Sequence, residues 1–168
     1  MAQTQATQLS PEIIRTHFVL AGVQVIVDLR QNFGAILKGG WARLAQKLPS
    51  IDNIAQPRTA ISYMHYVDTS MRTWFLGVQL TTLDGFKFDH GFGLAGWDLG
   101  DTTWAVFKEK NGAEGSTAPG SYGEIAKIGY GYDSRFIGEF ERSPLAWAID
   151  GPPPADAYHD FMLPVKKL

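Results

Sequence analysis

One order of elements, written twice, restricts this chain more than any other feature of its sequence. Residues 17–29 (HFVLAGVQVIVDL) are β-branched and apolar, with Gln24 the only polar residue between His17 and Asp28, as a strand buried on much of both faces requires. Leu37, Trp41, Leu44 and Leu48 then carry the apolar stripe of an amphipathic helix, which Pro49 ends. Two β-rich runs follow at 59–67 (TAISYMHYV) and 73–83 (TWFLGVQLTTL), with Asp84-Gly85 as a tight turn that folds Phe86-Lys87-Phe88 back on the preceding strand. The order then returns. A strand is predicted at 102–109 (TTWAVFKE), and after the Gly/Ser/Pro loop NGAEGSTAPGS a helix over Tyr122–Phe140, broken or shortened by Gly123, Gly129, Gly131 and Gly138. Strand candidates in PLAWAID, from Pro144, and in the closing YHDFMLPVKKL complete it.

A chain of 168 residues holds one domain of usual size. The expected fold is therefore α+β: two strand-helix-strand-strand half-modules, about 14–83 and 101–168, with antiparallel sheets, pseudo-twofold symmetry and a ligand groove between the halves. Residues 1–13 are expected as a tail, with Ser10-Pro11-Glu12 a short capped turn, and 14–168 as the single domain.

Several functions lose their support on composition. Fifteen Lys+Arg against 17 Asp+Glu, with no basic run, offer no electrostatic track for nucleic acid or an anionic membrane. No apolar stretch approaches the roughly 20 residues of a membrane span, and the polar start MAQTQATQLSP carries no secretion signal. With no Cys there is no disulfide framework or thiolate nucleophile, and a soluble protein of the reducing cytoplasm is expected.

Motifs with chemical meaning are few. Gly91-Phe-Gly93-Leu-Ala-Gly96 is a literal GxGxxG, but WDLGDTTW after it reads as turn and strand rather than helix, so it is a glycine-rich connection. His17, His65, His90 and His159 are scattered, so neither a metal site nor a cofactor is expected. Asp89-His90 and His159-Asp160 suit surface or loop roles, whereas His65 shares a strand face with Ile61 and Tyr63. No G-x-S-x-G elbow surrounds Ser121. Ten Phe, six Tyr and five Trp are the informative class. Tyr63, Trp74, Trp104 and Trp147 lie on predicted strands, where core packing is the ordinary role of each, yet four together make an aromatic-walled cavity expected.

The element order, with Trp41-Ala-Arg-Leu44, Leu76-Gly77-Val78, Trp104-Ala105-Val106-Phe107 and the ending Leu163-Pro164-Val165-Lys166-Lys167, resembles the GyrI-like effector-binding family. That family also supplies the drug-sensing domains of MerR-type and AraC-type regulators. The resemblance implies a bacterial-type, stand-alone, small-molecule-binding protein that takes planar hydrophobic or aromatic compounds, as multidrug-binding domains do. The stretch before the first strand is too short for a helix-turn-helix, so direct DNA binding is not expected. Two other functions follow from the resemblance: a hydrolase of strained, cyclopropane-bearing electrophiles, with Glu141 and Tyr63 as catalytic candidates, and a protein-interaction module of gyrase-inhibitor type.

The family's pocket glutamate sits in a Phe-Glu-x-Tyr word on the strand before the last. Counting back from Pro164 and aligning Pro144 puts that word on Leu145-Ala146-Trp147-Ala148, which makes the pocket floor Ala146 and Ala148 and turns Trp147 toward the core. The rival placement is Phe140-Glu141-Arg142-Ser143. Ala146 is the preferred position, because LAWAI suits a strand, and it carries an expectation of little preference for cations. Glu139 and Glu141 then end the second helix, exposed. The expected ligand-binding set is Trp41, Tyr63, His65, Trp74, Trp104, Ala146 and Ala148.

Overall fold

The computed structural model describes residues 7–67, 70–88, 93–111, 118–136 and 138–168. The apolar run at the start lies in β1 (Thr7–Asp28). Asn32 then caps α1 (Phe33–Lys47), its side chain accepting a hydrogen bond from the Ala35 amide. Next come β2 (Thr59–Tyr66), β3 (Met71–Leu80) and β4 (Ala95–Lys110). The second half continues with α2 (Ala118–Lys127), β5 (Tyr130–Tyr132), β6 (Glu139–Pro144), α3 (Leu145–Ile149) and β7 (Tyr158–Lys167).

Strand pairing carries the duplication. In the first half β3 lies between β1 and β2; in the second, β7 lies between β4 and β6. Across the halves first pairs with first, β1 with β4, and second with second, β2 with β6. Every pairing is antiparallel, and like joined to like in that sense is what a twofold relation between halves requires. Because β4 pairs with β7 as well as with β1, six strands close on themselves as a barrel, and β5 adds to the far end of β7.

Closure sorts the side chains by strand parity. Phe18, Leu20, Ile61, Tyr63, Phe75, Trp104, Val106, Phe140 and Met162, drawn from all six strands, fill the interior. Tyr63 stacks on Phe140 with centroids 4.3 Å apart, and Trp104 meets Phe140 edge-on at 4.6 Å. The alternate residues face outward under the helices. Val19, Ala21, Val23, Val25, Leu76 and Val78 pack with Leu44 of α1, while Ala105, Phe107, Phe161, Leu163 and Val165 pack with Ile125 of α2. Over residues 18–23 both faces of β1 are thus buried, which is why the sequence there shows no polar alternation.

A glycine pair lets the barrel fill. Gly22 and Gly77 stand opposite each other on β1 and β3, and a Cβ at Gly77 would lie 2.5 Å from Cε1 of Phe75 and 2.6 Å from the Ala21 carbonyl oxygen. The Phe75 ring occupies that space and stacks on Trp97 at 4.6 Å.

Four local expectations are corrected. Residues 7–13 are strand rather than tail and turn: β1 runs through Pro11 at a pairing irregularity between Gln8 and Glu12, where a residue without an amide hydrogen is tolerated. Residues 95–101, expected as irregular, belong to β4. There Phe18 faces both Leu99 and Gly100, a bulge in which Gly100 takes φ +61° and donates its amide to Asp98. Phe86–Phe88 forms no strand. The second helix starts earlier than expected, near Pro119, and stops at Lys127 ahead of Gly129, whose φ of +81° ends it. Its expected tail is instead β5 and β6. Gly91, Phe92 and His90 lie outside the described residues.

Candidate functional site

The apolar run LAWAI is a helix, and that fact rebuilds the site. Five apolar residues cannot be assigned to strand or helix by periodicity. Here Pro144 precedes α3 in an extended conformation, and the Asp150 amide closes the turn on the Ala146 carbonyl. The strand before the last is consequently β6, a few residues earlier in sequence, and on it Phe140 points into the barrel while Glu141 and Ser143 point out.

Outside the barrel, between α1 and α3, lies a cleft of about 380 Å³. Its floor is set by the β2–β6 register, which brings Ala60 opposite Ser143 and Ser62 opposite Glu141. Trp74 of β3 adjoins them. One wall is the Phe33, Leu37 and Trp41 face of α1; the other is Trp147 and Ala148 of α3 with Pro153. Asn111 and His159 close the end toward the second half.

Glu141 is the acidic side chain of this cleft. Its side chain opens to solvent through the cleft mouth, yet protein surrounds it closely, and desolvation raises its pKa above the usual carboxylate range. Glu109 adds to the rise, and His159 opposes it. His159 has Nδ1 2.9 Å from Oδ1 of Asn111 and Nε2 3.6 Å from the buried Glu109 carboxylate. The Glu109 contact raises the His159 pKa, against its own burial, with Glu141 and Asp160 adding to the rise. Carboxylate and imidazole thus share one aromatic-walled recess.

Of the side chains singled out from sequence, Trp41, Trp74, Ala148 and Glu141 meet in this cleft. Tyr63 does not. It pairs with Phe140 across β2 and β6 while Ser62 pairs with Glu141, so Tyr63 and Glu141 occupy opposite faces of the barrel wall and cannot act as a catalytic pair in this geometry. Burial lifts the Tyr63 pKa to about 12, with Tyr132 adding to the rise. Trp104 is fully buried in the interior, and His65 is half-buried, stacked near Tyr63 at 6.4 Å. Ala146 is exposed on α3 and lines no part of the cleft. Trp147 is a wall and not core, Glu139 is buried, and His159 lines the cleft instead of the surface. Among the described residues no group of three or more His, Asp or Glu is placed to hold a metal ion, and no helix is long and apolar enough to cross a membrane.

No family model matches the sequence, and no curated protein matches it. Solved structures do share its architecture. The C-terminal domain of EcmrR superposes with a TM-score of 0.60 at 14% identity, covering 96% of this chain and 99% of that one. EcmrR in its complex with DNA gives 0.65 at 14% identity over 97% of this chain, which spans 59% of the EcmrR chain there. The chain has the GyrI-like fold. SAV2435 bound to tetraphenylphosphonium shares this GyrI-like fold with a TM-score of 0.53 at 12% identity, covering 94% of each chain. A hydrolase from Listeria innocua shares it at 0.53 and 10% identity, over 96% of this chain and 94% of that one. Phe140-Glu141 lies on β6, the strand before the last, and residues 145–149, expected as a strand in placing Ala146, are helical.

Proposed function

We propose that this chain is a small-molecule-binding protein whose cleft takes planar aromatic cations, with Glu141 as their counter-charge. The observation that carries the reading is a carboxylate at the floor of a cleft walled by Trp41, Trp74 and Trp147. Indole faces offer apolar area and attract a delocalised cation, each such contact being worth about 0.5–2 kcal/mol. A cation drawn out of water also needs a fixed negative partner, and Glu141 supplies it where two alanines would not. SAV2435, of the same fold, was solved with tetraphenylphosphonium, an aromatic cation, which supports the same ligand chemistry here. An open cleft with few polar anchors suits a range of ring shapes, and the ligands are expected to be free compounds of the cytoplasm. Binding without turnover is the preferred reading, since Glu141 and Tyr63 face opposite ways.

Tryptophan quenching tests it with a matched pair: ethidium, and 3,8-diamino-6-phenylphenanthridine, which has the same rings without the fixed charge. At mildly alkaline pH the wild type is expected to hold ethidium at least about tenfold tighter, close to 1.4 kcal/mol, and Glu141→Gln to remove the difference. Equal affinities in the wild type, or a preference that survives in Glu141→Gln, would overturn the reading.

A further inference from the structure

A second cavity, of about 220 Å³, opens beside the first, and Ser143 and His159 belong to the walls of both. Its charge is opposite. Arg58, Lys108 and Arg142 line it, with Asp160 as its acidic residue. The sheet register explains the cluster: Arg142 of β6 and Lys108 of β4 both stand opposite Asp160 of β7, so the three form a row across adjacent strands at the end of the barrel. This row is next to the interior layer made by Phe140, Met162 and Val106.

The row is not balanced. Lys108 Nζ pairs with one oxygen of Asp160, while Arg142 donates to the other through Nε at 2.9 Å and Nη2 at 2.6 Å. One carboxylate answers two cations. Arg58 is exposed at the mouth, and its guanidinium makes no hydrogen bond or ion pair with a described residue. Three fixed positive charges against one negative, in a recess with low-dielectric walls, attract an anion. Guanidinium and ammonium groups offer a carboxylate strong, charge-assisted hydrogen bonds.

We propose that this second cavity is the anion subsite of the same ligand site, so that the preferred ligands are amphoteric: an aromatic cation in the cleft that carries a carboxylate reaching Arg58, Lys108 and Arg142. The inference rests on the reading of the cleft given above. Two residues of extended strand, about 7 Å, separate Glu141 in the cleft from Ser143 in the shared wall, a span that a fused-ring cation with a carboxylated pendant ring covers.

Rhodamine 110 and rhodamine 123 provide the probe, since they share one cationic ring system and differ in a free carboxylate against its methyl ester. By tryptophan quenching near neutral pH, the wild type is expected to bind rhodamine 110 at least tenfold more tightly than rhodamine 123. The double variant Arg58→Gln/Lys108→Gln is expected to lose that preference and keep its affinity for rhodamine 123, which also reports that the variant is folded. Equal or tighter binding of the ester by the wild type overturns the anion subsite and leaves the cleft's reading intact. A preference retained in the double variant overturns the assignment to these residues. Failure of both dyes to bind overturns the cleft's reading and the subsite together.

Discussion

Replacing Gly77 by alanine puts the barrel's internal packing to a quantitative test. A methyl group there would lie 2.5 Å from Cε1 of Phe75 and 2.6 Å from the carbonyl oxygen of Ala21, both well inside contact distance. The ring cannot retreat freely, because it stacks on Trp97 at 4.6 Å in a filled interior where Phe75 is 1% exposed. Overpacking of this kind costs about 1–3 kcal/mol. Two contacts this short, one of them to backbone, put the cost at the upper end of that range; against it stands the general advantage of alanine over glycine in a strand, about 0.5–1 kcal/mol, so a net loss of about 2 kcal/mol is expected. For a chain of this length that lowers the thermal midpoint by about 4–8 °C, read by calorimetry or circular dichroism. Phe75→Leu removes the ring but not the carbonyl clash, so in that background the same substitution should cost about 1 kcal/mol less. A Gly77→Ala protein that melts at or above the wild-type temperature would refute the packing described for the barrel.

Two further expectations follow from titrating groups. Tyr63 ionises at about 10 when unfolded and about 12 when folded; above pH 10 the unfolded chain therefore gives up a proton that the folded chain keeps, and stability falls as pH rises toward 12, by up to about 3 kcal/mol. Urea titrations across that window should show Tyr63→Phe losing less stability than wild type, and parallel curves would remove Tyr63 as the cause. In the cleft, acid acts on ligand binding: protonation of Glu141 removes the counter-charge, while protonation of His159, held between Glu109 and Glu141 and beside Asp160, adds positive charge. Both pKa values are raised, so ethidium affinity should weaken as pH falls, with the loss beginning above the ordinary carboxylate range, and a flat profile would contradict the role of Glu141.

The duplicated plan was legible because strand and helix periods differ and each half writes them in the same order. Closure of the barrel was not, since the β4–β7 pairing joins residues 52 apart at Lys108 and Asp160 and leaves no local signature. Local polarity also misled. Asp98 and Gly100 disguise the start of β4, where the bulge uses the glycine's left-handed conformation and the aspartate's carboxylate. The central error was one of parity. Taking LAWAI as strand moved the strand before the last by a few residues, and with it the cleft floor from Glu141 to two alanines, although the literal Phe140-Glu141 pair stood in the sequence. Trp147 was placed in the core for the same reason, since the face a residue presents follows from the element it belongs to, whereas His159 stands on a strand that was expected, and only the long-range pairing of β7 with β4 and β6 brings it to the cleft.

A crystal structure of the ethidium complex tests the central claim most directly. The dye is expected between α1 and α3, its rings against Trp41, Trp74 and Trp147 and its charged nitrogen within about 4–6 Å of the Glu141 carboxylate, the range over which opposite charges perturb each other strongly. Ethidium held elsewhere on the protein, or lying in the cleft with its nitrogen turned away from Glu141 to the solvent, would contradict it.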